Sequence, residues 1–91
     1  MTTVVFDFNT IQTLPDFYKL FQKEFRLTPV VANNLDGLWD AITGIIKLPV
    51  RIEFQNLSLD KLNTFQNLIS LFENAEKETD TELGFAYFVS K

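Results

Sequence analysis

The sequence contains no cysteine and no histidine. Disulfides, thiolate nucleophiles, imidazole bases and ordinary zinc sites are thereby excluded. Glycine and proline are scarce, with three of each in 91 residues. They form no flexible linker, no glycine-rich phosphate loop and no nucleophile elbow. No apolar run approaches the roughly 20 residues of a membrane span, so no membrane partner is expected. The chain does not open on a basic region followed by an apolar stretch and a cleavage site, and a cytoplasmic address is the expectation. No cofactor is expected.

Phenylalanine is what the sequence has in excess, ten copies against one tryptophan and two tyrosines. Such rings bury much area per residue, which helps a short chain reach a stable core. At 46% apolar and 22% charged, the composition is that of a globular protein, and residues 1–91 make one domain.

The net charge of −4 is unevenly placed. Residues 1–31 are neutral, residues 32–44 carry Asp36 and Asp40 without a basic residue, and residues 45–72 are slightly positive. Residues 73–91 are acidic through Glu73, Glu76, Glu78, Asp80 and Glu82. The excess therefore lies in two segments. Either they are solvated surface, or, if they share one side, they attract a cationic partner. Direct binding of nucleic acid is disfavoured, because phosphates would be repelled.

Periodicity predicts the elements. Thr2–Phe8 reads as a strand. Thr13 and Asp16 form a capping-box pattern, with Asp in place of the usual Glu or Gln, and Pro15 suits the first turn. Leu14, Phe17, Phe21 and Phe25 follow at helical spacing as a core stripe. Leu27–Ala32 is a connection in which one of Val30 and Val31 should pack inward and the other stand exposed. Asn34 suits the N-cap of a helix running to about Ile42, with Leu35, Leu38, Trp39 and Ile42 buried and Gly44 as its C-terminal cap. Leu48–Phe54 alternates as a strand buried on one side. Asn56–Asn63 is turn-like or a short helix, a longer helix runs from about Thr64 to Lys77, and Leu83–Val89 is the last strand. Helices between strands imply right-handed parallel crossovers. The expected fold is α/β: two layers, a three-stranded parallel sheet of order 1-2-3, with helices mainly on one face.

The helix opened by Asn34 departs from helix rules. Asp36 and Asp40, at i and i+4, repel; Asp40 lies in the half where the dipole disfavours anions; Gly37 weakens the interior. Together these oppose folding by roughly 1.5–2 kcal/mol. Uncompensated rule-breaking points to a functional surface, and Gly37 lets another backbone approach. The alternative is that both acids are simply solvated. Paired carboxylates also serve glycosidases and bind Mg²⁺, but adjacent helix turns offer no cleft, and the spacing is nonspecific. An enzyme is not expected.

The run from Asn34 to Gly44, with Asp36, Gly37, Leu38, Trp39, Asp40, Ala41, Ile42 and Thr43 in order and Leu48, Pro49 and Val50 following, resembles the signature segment of the barstar family of intracellular ribonuclease inhibitors. Over the whole chain, length and element order agree more loosely. The resemblance implies the same two-layer fold and a plug for the active site of a basic ribonuclease or nuclease toxin. It makes Asp40 the central mimic of an RNA phosphate and pairs Asp36 with neighbouring cations, while Asn34, Trp39, Thr43 and Gly44 line the contact. An immunity-protein or antitoxin role follows, with a monomer when free. There are departures. Val30 and Val31 stand where the family has tyrosines, Ile45 replaces a tryptophan, and the family's cysteines are missing. Asn74 replaces a contact glutamate, with Glu73, Glu76 and Glu78 nearby as substitutes. Val30 is then expected to fill an apolar hollow, and the cognate enzyme to differ. The other reading keeps the fold but makes the domain an adaptor for a basic surface on a non-nuclease protein.

Overall fold

The alternation of apolar residues along three short segments produces a sheet with one dry face. In the computed structural model, which describes residues 2–90, these are β1 (Thr2–Asp7), β2 (Val50–Leu57) and β3 (Leu83–Val89). Met1 and Lys91, the outermost residues of the predicted domain, lie outside the described residues. The strands are parallel in the order β1-β2-β3, with Thr2 opposite Val50 and Val50 opposite Leu83. This is the predicted α/β architecture. Phe6, Val50, Ile52, Phe54 and Leu83 are buried on one face, whereas Val5, Asp7 and Phe88 are exposed on the other.

Four helices cover the dry face: α1 (Leu14–Glu24), α2 (Leu35–Gly44), α3 (Leu59–Thr64) and α4 (Gln66–Glu78). The capping box of α1 forms as predicted: Thr13 Oγ1 accepts from Asp16 N–H, and Asp16 Oδ2 accepts from Thr13 N–H. The phenylalanine stripe joins this helix to the sheet. Phe17 lies 4.8 Å from Phe6, 5.4 Å from Phe54 and 5.9 Å from Phe72, ring centre to ring centre. Tilted and edge-on rings at such distances add to the burial of their area. The core thus locks α1 and α4 to β2, and α2 packs on α4.

Several boundaries differ from expectation, by a residue or two at the C-terminal ends of β1 and α2 and at both ends of α4, and by more in β2. β2 starts later and runs on to Leu57. Strict alternation would turn Leu57 to the open face, but Asn56 takes a left-handed conformation (φ 61°) and the pairing register slips between Phe54 and Leu57. This bulge changes the parity and sends Leu57 inward, fully buried. Asn56–Asn63 resolves into the end of β2 and α3, whose N-cap Ser58 accepts from Lys61 N–H. Finally, α2 continues past Ile42 through Gly44.

Candidate functional site

The face of interest begins with a cap. Asn34 is extended (φ −155°), and its Oδ1 accepts from Gly37 N–H at 2.7 Å. Such a cap contributes about 1 kcal/mol. Leu38, Ala41 and Ile42 are buried against the core, while Leu35 and Trp39 are half-buried beside it. Because α2 extends to Gly44, Asp36, Asp40, Thr43 and Gly44 fall at i, i+4, i+7 and i+8 of one continuous helix. That spacing places them along one side. Asp36 and Asp40 are exposed, and the Thr43 hydroxyl donates to Trp39 O at 2.8 Å.

Two expectations about the glycines are corrected. Gly44 is not a left-handed cap: no glycine among the described residues has positive φ, and Ile45 ends the helix in a right-handed conformation. Gly37 does admit a backbone, but it is the chain's own. A Cβ there would stand 3.3 Å from Asn34 Oδ1 and 3.4 Å from Ala32 N. Gly37 therefore seats the preceding loop against the first turn, and its helical penalty is partly offset within the fold. Asp36, in that first turn, also meets the favourable end of the helix dipole. The local conflict in α2 is thus smaller than the sequence implies, and it centres on Asp40.

The loop before α2 carries Val30 outward and Val31 inward. Val30 is 79% exposed, and Val31 packs on the core. Val31 N–H donates to Thr28 O at 3.0 Å, closing a turn around Val30. From α1, the Gln22 side-chain amide donates to Val31 O at 2.9 Å and to Pro29 O at 3.3 Å.

On the other side of α2, a shallow depression of about 340 Å³ runs between α2 and α4. Leu35, Asp36 and Trp39 line it from α2, and Asn67, Ser70, Leu71 and Asn74 from α4. The structure thus brings Asn74 beside Asp36 and Trp39. Asp40 stands outside this depression, so the two α2 carboxylates do not share a cleft. Glu73 faces a different groove, with Leu59, Ile69 and Tyr87. Glu76 is also turned elsewhere: its Oε2 accepts from Phe85 N–H at 2.9 Å on the outer edge of β3. Neither glutamate joins Asn74 at the depression. Leu35, expected only in the core stripe, also lines the depression, and Asn67, Ser70 and Leu71 escaped the sequence reading. For the α4 residues a signal was present, since 67, 70, 71 and 74 repeat at helical spacing beside the buried row.

The α2 pair is distinguished by its placement, two exposed carboxylates one helical turn apart on a helix whose last turn holds no basic residue. Neither carboxylate takes part in a hydrogen bond or ion pair among the described residues. The carboxylates of Glu24, Asp60, Glu73, Glu78, Asp80 and Glu82 are likewise without such contacts among the described residues, whereas those of Asp7, Asp16, Glu53 and Glu76 are engaged. Asn56 and the Asn9 N–H hold Asp7 below the usual carboxylate range. The Gln12 N–H does the same for Asp16, and Arg51 with Gln55 for Glu53. The α2 face therefore presents two uncompensated anions on a capped, packed helix, with an apolar loop tip before it and an amide-lined hollow beside it.

The chain also matches a known protein family over nearly its whole length. The model of the family described as Barstar (barnase inhibitor) matches residues 1–90. The chain belongs to the barstar family.

Proposed function

From that membership we propose that this protein inhibits a basic ribonuclease or nuclease toxin by seating the Asp36–Asp40 side of α2 in the pocket that holds RNA phosphates. The observation that carries the proposal is the pair of exposed carboxylates, one helical turn apart, that have no partner among the described residues. A pocket built of arginine, lysine and histidine for phosphodiesters offers those carboxylates what the chain withholds. Complementary charge also speeds encounter. Asp40 is the central phosphate mimic and Asp36 its neighbour. Asn34, Trp39, Thr43 and Gly44 line the contact, and Asn74 borders it where the family carries an acid.

Val30 meets an apolar hollow on the enzyme. With Asn74 in place of an acid and Val30 in place of an aromatic ring, the preferred enzyme is one whose rim is less cationic and less suited to stacking than that of barnase. The protein itself is not an enzyme. It acts as a monomeric single domain in the cytoplasm, as an immunity protein or antitoxin, and the same acidity keeps it off nucleic acid.

Titration of a basic ribonuclease with wild-type and Asp40→Ala protein tests the reading. The variant should lose at least ~2 kcal/mol of binding, about thirtyfold in affinity, with folding unharmed. Unchanged inhibition removes Asp40 from the central role. Capture of a basic partner that is not a nuclease points instead to an adaptor.

A further inference from the structure

We propose that Gln22, on α1 and remote from the acidic helix in sequence, is the positioning residue of the contact loop, holding Val30 at a fixed place and orientation. Its effect on binding rests on the inhibitor reading; its effect on the loop does not.

The geometry concerns a single side chain tied to both ends of a turn. Gln22 O accepts from Leu27 N–H at 2.8 Å, which anchors the start of the connection just after Arg26 takes a left-handed conformation (φ 55°). Its side-chain amide donates to Pro29 O and Val31 O, the carbonyls on either side of Val30. An amide NH₂ has two donors, and both are used here. Val30 itself, 79% exposed, has little packing to hold it. Downstream, Val31 packs inward and Ala32 is buried with φ 58°, seated over Gly37. The loop is therefore fixed from below by Gln22 and from behind by α2, and the Val30 side chain projects from it beside the exposed Thr28 and Pro29. Fixing a contact loop before binding removes an ordering cost that would otherwise weaken the complex.

The test uses Gln22→Met, which keeps length and helix propensity but has no donor, and Gln22→Lys, which restores donors. Backbone NMR order parameters of the free protein should fall at Val30 and Val31 in Gln22→Met, from the rigid value of about 0.85 to below about 0.6. The α2 amides should be unaffected, and Gln22→Lys should recover much of the loss. Barnase is the binding probe. Gln22→Met should weaken the complex about three- to tenfold, mainly through faster dissociation. In a Val30→Ala background the same change should cost less than about twofold, because Gln22 acts through Val30. Unchanged order parameters overturn the clamp. An equal loss of binding with and without Val30 overturns its action through that residue. Absence of barnase binding by the wild-type chain overturns the inhibitor reading for that enzyme; the clamp is then upheld or overturned by the order parameters.

Discussion

On the open face of the sheet and on α2, the same chemical group is used in opposite ways. Glu53, in β2, sits between two donors two residues to either side. Arg51 donates at 2.8 Å and Gln55 at 3.1 Å. Asp36 and Asp40 sit one turn apart on α2 with no donor among the described residues. Strand geometry puts i and i±2 on one side, so a carboxylate in β2 can be neutralised by its own neighbours. Helix geometry puts i and i+4 on one side, and there the sequence repeats the acid. The sheet carboxylate is satisfied by its own strand neighbours, and the helical pair has no such neighbour among the described residues.

The sharpest way to break this comparison is Asp40→Ala. The proposed loss of at least ~2 kcal/mol of nuclease binding should come with an unchanged or slightly raised melting temperature, because an anion is removed from the unfavourable half of α2. A fall in melting temperature would show that Asp40 serves the fold, as Glu53 does.

Asn34→Ala comes next. Loss of the bond from Gly37 N–H should lower stability by about 1 kcal/mol in chemical denaturation. Because the cap sets where α2 begins, the variant should also bind the nuclease more weakly. A stability loss without any change in binding would separate the cap from the site.

How much of this was legible in the sequence depends on distance along the chain. The Thr13–Asp16 box, the Phe17 and Phe21 stripe and the Asn34 cap are local patterns, and each formed where its spacing placed it. One of the two adjacent valines packs inward and the other stands exposed, as expected, but the local pattern leaves open that Val30 is the exposed one. What stayed hidden was decided by partners far away. The inward turn of Leu57 depends on a bulge at Asn56, which a strict period-two reading cannot contain. Glu76 looked like a spare acid beside Asn74 until β3 supplied the Phe85 N–H. Gly37 looked like an invitation to a partner, but Ala32 fills the space. The candidate face was legible as a stripe of residue types, while the depression beside it needed α4 to arrive.

Gly44→Ala sharpens the comparison more gently. Nothing lies within 4 Å of where its Cβ would stand, and the position is helical. Stability should rise by up to about 1 kcal/mol, read from the denaturation midpoint. The added methyl lies in line with Asp36 and Asp40, so binding should weaken as folding improves.

The smallest effect is on pH dependence. Asp7, Asp16 and Glu53 are held below the usual range by their donors. Their folded values lie below the unfolded ones of about 4. Their contribution is thus complete above about pH 4 and is lost as acidification passes through the folded values. Glu53→Gln should make the acid-side decline of melting temperature shallower, as read from thermal melts across pH.

The contact between Glu76 and β3 has a consequence for life at high concentration. A strand at the rim of a sheet offers its outward amides to any extended peptide that passes, including another copy of itself. Here the first two such amides of β3 are already taken, Leu83 N–H by Thr79 Oγ1 at 3.0 Å and Phe85 N–H by Glu76 Oε2. A newcomer would have to evict a carboxylate before it could zip on, next to a helix end whose further acids repel it. The start of this margin is guarded in part by the same functional group that α2 leaves bare.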